Sequence, residues 1–188
     1  SNLRVLWNYE APYSWDWFNS PILSSNGDIY ASSSNGILYA LNSKGNLKWQ
    51  FSSKNRFFSP NTSIAENGTL YIGNGNFYAL NPYGSLKWDI PIHVHSSPIV
   101  SNIGTIYVTG DDLYAISPDG SIKWIFETDG SKDSNSSSDN ASNATIDNNG
   151  TVYFERNKIL YAIHGSSSGP ANSPWPMFLR DQKNSNRQ

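Results

Sequence analysis

The sequence predicts an all-β fold, a β-propeller of four-stranded antiparallel blades, and three observations lead to that prediction. A motif near forty residues long occurs four times. Each copy holds short apolar runs separated by turn-forming residues such as Asn-Gly. Aromatic residues make up 14% of the 188 residues, which suits sheets that stack face to face. A period near forty with several short strands per unit is typical of propellers or solenoids.

The copies align on a tyrosine in the third predicted strand. These tyrosines are 39, 36 and 47 residues apart, at Tyr39, Tyr78, Tyr114 and Tyr161. Asn-Gly turns separate the strands, and such turns between alternating apolar residues are the strongest short-range hairpin signal, because both turn residues tolerate positive φ. Apolar groups occur on both faces of the strands, so each sheet is expected to lie between two others. The predicted blades span about 20–51, 58–90, 96–126 and 140–163, within a repeat region of 1–165.

An alanine, a glycine and a tryptophan recur at constant spacing. The tryptophan follows the alanine by nine residues in the three complete copies, as in Ala40 and Trp49. The small alanine is expected to let the indole of a neighbouring blade approach, and the glycine to form the tight turn. The structural positions predicted in this way are Ala40, Ala79, Ala115, Ala162, Trp49, Trp88 and Trp124.

In this pattern the chain resembles the pyrroloquinoline-quinone-type propeller repeats, over roughly residues 5–165, and specifically their non-enzymatic branch. The resemblance implies that the indoles dock between blades on the alanine and glycine positions. The segment 173–181 is similar to a terminal tail of bacterial members of the group, and 166–188 is expected to form a C-terminal tail. Such repeats indicate fold far more strongly than function, because one fold hosts many activities.

The fourth copy lacks its last strand. Residue 171, where the tryptophan belongs, is an alanine, and Trp175 comes four residues too late. Residues 4–9 look like an outer strand without a blade, so Trp7 is expected beside Ala162, with this strand completing the last blade within one chain or across two. Three arrangements follow: a four-bladed ring, two chains forming an eight-bladed ring, or part of a longer propeller.

Composition excludes several classes of protein. The net charge is −2 and 15% of residues are charged, so the chain has no electrostatic footprint for nucleic acid. No apolar run reaches the ~20 residues that span a bilayer, and no transmembrane segment is expected. The absence of cysteine excludes disulfides and thiolate metal sites. The high Ser, Asn and Gly content favours an extracytoplasmic location, either periplasmic, on the cell surface or secreted.

The sequence offers few residues for catalysis or metal binding. Quinone-dependent dehydrogenases with this repeat carry a calcium-binding acid, an aspartate base and often a vicinal disulfide, whereas this chain has no cysteine and its arginines are scattered. His93 and His95 have the spacing of a metal clasp, with Asp16 or Asp111 as a third ligand, but a polar loop is the preferred interpretation. A calcium loop at 129–135 lacks the glycine and glutamate that such loops need. We expect no enzymatic activity, no metal and no cofactor.

The loops between the predicted blades carry the candidate binding site. In a propeller these loops crowd one end of the central channel, and here they hold aromatic and charged residues outside the repeat consensus. The candidates are Trp15, Asp16, Trp17, Arg56, Phe57, His93 and His95. Aromatic residues beside an arginine are typical of a protein or sugar interface.

The sequence therefore predicts a non-catalytic propeller that serves as a protein-binding or scaffold module. A carbohydrate-binding propeller is the alternative, and a quinone- or metal-dependent enzyme is less favoured. The expected partners are a protein or a glycan, with a second copy of the chain as a further option.

Overall fold

The computed structural model describes residues 3–12, 16–53, 62–74, 76–94, 96–128, 143–174 and 176–177. Within these residues the regular elements are fifteen β-strands. They are β1 (Ile22–Leu23), β2 (Ile29–Ser32), β3 (Ile37–Leu41), β4 (Leu47–Ser52), β5 (Ser63–Ile64), β6 (Leu70–Asn74), β7 (Asn76–Leu80), β8 (Leu86–Ile90), β9 (Ile99–Val100), β10 (Ile106–Thr109), β11 (Leu113–Ile116), β12 (Ile122–Phe126), β13 (Thr145–Ile146), β14 (Thr151–Arg156) and β15 (Ile159–His164). In this part of the chain no helix has the length and apolar character needed to cross a membrane.

The strands form four antiparallel sheets in chain order. Strands β1–β4, β5–β8 and β9–β12 form four-stranded sheets, and β13–β15 form a three-stranded sheet among the described residues. We number these sheets as blades 1 to 4. Every strand pairs with the strand that precedes or follows it in sequence, as expected for successive hairpins. The predicted all-β architecture of four-stranded antiparallel blades is confirmed.

A row of tyrosine, alanine and tryptophan crosses each complete blade. In blade 1, Ala40 pairs with Tyr30 on one side and with Trp49 on the other. The two aromatic rings close over the small alanine with centroids 5.7 Å apart, and blades 2 and 3 repeat the arrangement at 5.8 Å. The alanine thus makes room for the indole of its own blade. This differs from the sequence-based expectation, in which it admits the indole of a neighbouring blade.

The same tryptophans join neighbouring blades. The indole of Trp49 lies on Gly84 of blade 2, and its Nε1 donates to the carbonyl of Pro82 at 3.0 Å. A Cβ at Gly84 would stand 2.6 Å from the indole, and the φ of +86° there is strained for any residue with a side chain. Trp88 docks on Gly120 of blade 3 in the same way, with a matching Nε1 hydrogen bond of 2.9 Å.

The hydrophobic core lies between the blades. Three buried clusters of described residues span neighbouring sheets, the first joining blades 1 and 2, the second blades 2 and 3, and the third blades 3 and 4. The fourth strand adds a second aromatic contact, because Phe51 meets Tyr78 at 5.5 Å and Phe126 meets Tyr161 at the same distance. The repeated indoles are half-buried, with part of each ring facing solvent. Each blade therefore buries its apolar faces only against its neighbours.

The N-terminal segment binds blade 1 through the same contacts. Trp7 lies on Gly45, where a Cβ would stand 2.6 Å from the indole, and its Nε1 donates to the carbonyl of Ser43 at 3.1 Å. Tyr9 packs on Tyr39 with ring centroids 5.7 Å apart. This segment contacts blade 1 as the fourth strand of blade 1 contacts blade 2.

The expected pairing of this segment with the last blade does not form within the chain. Residues 3–12 contain no strand, and β15 pairs with β14 alone among the strands described. The expectation that Trp7 lies beside Ala162 is therefore not met inside one chain, where its indole instead lies on the turn of blade 1. Pairing across two chains stays a prediction.

The segment after β15 returns along the first strands of earlier blades. Ala171 donates its N–H to the carbonyl of Val100 at 2.8 Å, and Val100 donates its own N–H to the carbonyl of Pro176 at 2.8 Å. Met177 is buried in the cluster between blades 3 and 4. This path explains the missing tryptophan at 171, because the residue there covers β9 and does not end a fourth strand.

Replacing Gly84 by alanine should destabilise the chain by about 2–4 kcal/mol, because the methyl group meets the indole of Trp49 and the backbone has to keep a positive φ. The matched control is Gly27→Ala, where φ is +83° but the nearest atom to the new Cβ is 3.9 Å away. The control should lose only about 1–2 kcal/mol, from the backbone conformation alone. Urea unfolding curves measure both, and equal losses would contradict the indole contact as the cause.

Alkaline pH should destabilise the fold through two tyrosines. Burial raises the pKa of Tyr30 to about 12, with the negative charge of Asp28 adding to the effect, and burial raises the pKa of Tyr71 to about 12. An unfolded tyrosine has a pKa of about 10, so the free energy of unfolding should hold below pH 10 and fall as the pH rises from 10 to 12. Urea midpoints should fall less steeply in the Tyr30→Phe/Tyr71→Phe variant, and an unchanged slope would argue against these two hydroxyls.

Candidate functional site

Loops that enter the blades form one end of the blade stack. The segment before β1 lies against the turn between β2 and β3, through a bridge of Phe18 with Ser33. The segment before β9 lies in the same way against the turn between β10 and β11, through a bridge of Val94 with Gly110. We call this end the loop face and define it by residues 16–19, 33–36, 92–94, 110–112 and 156–158.

Three of the seven binding residues predicted from the sequence are described, and all three belong to the loop face. Asp16 and Trp17 precede blade 1, and His93 precedes blade 3. The other four, Trp15, Arg56, Phe57 and His95, lie outside the described residues. The described candidates therefore come from two different inter-blade loops.

Asp16 holds a turn through its carboxylate oxygen Oδ1, so this oxygen is not available to a ligand. Its Oδ1 accepts hydrogen bonds from the hydroxyl of Ser34 at 2.9 Å and from the N–H of Asn35 at 3.2 Å. Both donors belong to the turn between β2 and β3. Its Oδ2 is buried, and no described residue donates to it. Asp16 thus fastens the loop before blade 1 to the blade itself.

Trp17 is presented to solvent from an ordered backbone. Its N–H donates to the hydroxyl of Ser34 at 3.3 Å, and its carbonyl accepts from the N–H of Ser34 at 3.0 Å. The side chain nevertheless remains 59% exposed. The next residue, Phe18, packs instead on Tyr39 with centroids 5.6 Å apart and on Tyr9 at 6.3 Å. Of these two neighbours, Trp17 is available for binding and Phe18 is mainly structural.

His93 is exposed on the loop face, but the described residues around it do not form a metal site. No group of three His, Cys, Asp or Glu side chains that could hold a metal ion occurs among the residues the structure describes. Both carboxylates considered as a third ligand are engaged elsewhere. Asp16 binds the turn of blade 1, and Oδ1 of Asp111 lies 4.0 Å from Nη2 of Arg156.

Arg156 is a buried cation of the loop face to which the sequence analysis gave no role. Its Nη1 donates to the carbonyl of Gly110 at 2.6 Å, which ties blade 4 to the loop face of blade 3. A buried guanidinium needs such partners because its desolvation is costly. In the sequence this arginine can be recognised only as a departure from the repeat. The corresponding positions of the other copies hold the small or polar residues Ser33, Asn74 and Gly110.

A cleft of about 350 Å³ opens at the opposite end of the stack, between the turns that follow the first strands of blades 2 and 3. Glu66 supplies a carboxylate to a lining that otherwise includes Tyr71, Val100 and Ala171. The cleft is therefore separate from the loop face and is partly walled by the C-terminal segment.

Replacing Asp16 by alanine should lower the free energy of unfolding by about 1–3 kcal/mol, because two donors of the blade 1 turn lose a charged acceptor. The matched control is Glu127→Ala, whose side chain is exposed and which should change stability by less than about 0.5 kcal/mol. Both are measured by urea unfolding. A stability loss for Asp16→Ala no larger than that of the control would show that the turn contact is unimportant.

Known proteins share the repeat pattern and the fold. A family model described as outer membrane protein assembly factor BamB matches residues 4–171. A comparison with curated proteins found no significant match.

Solved structures resemble the chain at low sequence identity. BamB from Moraxella catarrhalis gives a TM-score of 0.63 at 14% identity, covering 80% of this chain and 48% of that one. Virginiamycin B lyase from Staphylococcus aureus gives 0.64 at 13%, covering 84% and 59%. The C-terminal WD40 domain of Sif2 gives 0.66 at 11%, covering 90% and 49%. The chain thus spans about half to three fifths of the length of these structures, and identities this low show the fold alone.

Proposed function

The chain belongs to the family described as outer membrane protein assembly factor BamB, and on that basis we propose that it is a non-catalytic propeller module that binds a protein partner through its loop face. A propeller of this family suggests protein interaction or scaffolding in general. The proposal extends that inference to named residues of one end of the blade stack.

Exposed Trp17 is the observation that carries the proposal. Its ring is 59% exposed although hydrogen bonds to Ser34 fix its backbone on both sides. A large side chain on an ordered backbone loses little conformational entropy when a partner binds. Tryptophan is also enriched among the few residues that dominate the free energy of protein association.

Polar groups of the same face suit the rim of a protein interface. The side chain of Asp111 is 63% exposed, and His93 is exposed as well. Protein interfaces typically place aromatic groups at the centre and solvent-accessible polar groups around them. The loop face offers both kinds of group.

Two charged side chains of the loop face are bound to other residues of the chain, which supports a non-catalytic role. Asp16 is committed to the turn of blade 1, and the guanidinium of Arg156 to the carbonyl of Gly110. A general base or an anion-binding cation needs a polar atom directed at the substrate. The virginiamycin B lyase shares only the fold with this chain, and one fold hosts many activities.

The family also supports an extracytoplasmic location, since its description refers to assembly of outer membrane proteins. A carbohydrate ligand is the alternative, because an exposed indole such as Trp17 also stacks on sugar rings. A glycan array probed with the 188-residue chain separates the two, since a protein-binding module gives no glycan signal that depends on Trp17.

The function is tested by replacing Trp15, Trp17 and Arg56 together with serine. The immobilised chain captures partners from envelope extracts of its own organism, and the affinity of each identified partner is then measured with purified components. The triple variant should lose binding while its free energy of unfolding changes by less than about 1 kcal/mol, as surface substitutions usually do. The matched control is Tyr83→Ser, which removes an aromatic side chain that is 86% exposed at the opposite end of the stack.

Wild-type affinity in the triple variant would overturn the loop face as the binding site. Equal loss of binding in Tyr83→Ser would place the site elsewhere. Unfolding of the triple variant would show that these side chains belong to the core.

A further inference from the structure

Strand β15 ends the blade stack with an open edge. It is six residues long and pairs with β14 alone among the described strands. Gly165 donates its N–H to the carbonyl of Gly150 at 3.0 Å, just beyond the end of the β14–β15 pair. In an antiparallel ladder the backbone groups of successive residues point to opposite sides, so the N–H and C=O groups of Leu160 and Ala162 point towards the open edge. Leu160 is 74% exposed on this strand. Long apolar edges of this kind promote pairing with another chain.

The aromatic row of blade 4 lacks one member. Tyr153 pairs with Ala162, as the equivalent tyrosines of the other blades pair with their alanines. In the complete blades this tyrosine is buried and a tryptophan of the fourth strand closes over the alanine, whereas Tyr153 is only half-buried. Blade 4 therefore has a place for a tryptophan on a fourth strand opposite Ala162.

The N-terminal segment has the aromatic residues of a fourth strand but no sheet to pair with. Trp7 and Tyr9 dock on blade 1 as fourth-strand residues of a preceding blade, yet the segment pairs with no sheet in the described structure. Val5 and Leu6 are 81% and 76% exposed. The segment is thus already held in place by blade 1 and lacks only a neighbouring strand.

We propose that the open edge of β15 is a docking site for residues 5–9 of a second copy of this chain, so that two copies complete each other's fourth blade and close an eight-bladed ring. By the register of the complete blades, Trp7 would stand opposite Ala162 of the second copy and Tyr9 opposite Leu160. The indole would then meet Tyr153 across the alanine. This assembly goes beyond the proposed function, because it uses the ends of the stack and not the loop face.

Three observations favour a second copy as the occupant. The two complementary ends do not pair within one chain among the described residues. Propellers typically contain four to eight blades, and two copies of four blades reach that limit whereas three exceed it. Reciprocal donation also closes a two-fold dimer without leaving an edge.

Light scattering coupled to size exclusion tests the proposal on the 188-residue chain over a wide concentration range. The expected mass is twice the 20.9 kDa of one chain. Ala162→Pro removes the central N–H donor of the open edge, and proline is tolerated on an edge strand whose N–H faces solvent, so the variant should have half the wild-type mass with unchanged circular dichroism. Ala162→Ser keeps the N–H and should remain dimeric.

A second variant keeps the test decisive if Ala162→Pro does not fold. Leu160→Lys places a charge at an exposed position of the same edge and should also halve the mass, as lysines on natural edge strands prevent pairing. A wild-type chain that stays monomeric overturns the proposal, as does a double mass that survives both variants. A monomer whose melting temperature drops in both variants would show that the ring closes within one chain. Assemblies whose mass grows with concentration would show open head-to-tail pairing. Each of these two outcomes also overturns the closed dimer.

Discussion

The contact between a tryptophan and a glycine of the next blade is the interaction on which the rest of this structure depends. The indole can lie on the backbone only where no Cβ intervenes and where the turn adopts a positive φ, and Gly84 and Gly45 meet both conditions. The Nε1 hydrogen bond then fixes the indole relative to the turn. Because the same geometry recurs from blade to blade, the angle between sheets is set by a local rule and the propeller curvature follows from its repetition.

This rule has a consequence for the ends of the stack. The buried clusters lie between sheets, so a terminal blade has only one covered face unless another segment supplies the other. Residues 5–9 cover blade 1, and the segment after β15 covers the first strands of blades 2 and 3. The fourth strand of blade 4 is the part that these segments leave open among the described residues. The member missing from this edge is the fourth-strand tryptophan that the complete blades contain.

The repeat determines where the loop face lies but not which residues occupy it. The described loops before blades 1 and 3 each reach their first strand across the turn between the second and third strands of that blade. Hydrogen bonds from Asp16 to Ser34 and Asn35 order one such loop, which leaves Trp17 exposed on a fixed backbone. Arg156 fastens a second part of the same face from blade 4. Side chains can vary there without disturbing the indole contacts that hold the blades together.

The sequence by itself determined the propeller class, the order of the strands and the alanine-to-tryptophan spacing, because these features come from local hairpin chemistry repeated four times. It also placed Asp16, Trp17 and His93 on inter-blade loops. Only the tertiary structure decided that Asp16 holds a turn, that Arg156 reaches Gly110, and that residue 171 covers β9. Those contacts join residues far apart in sequence that share no periodicity, and their energies depend on burial and direction, which a linear pattern does not contain.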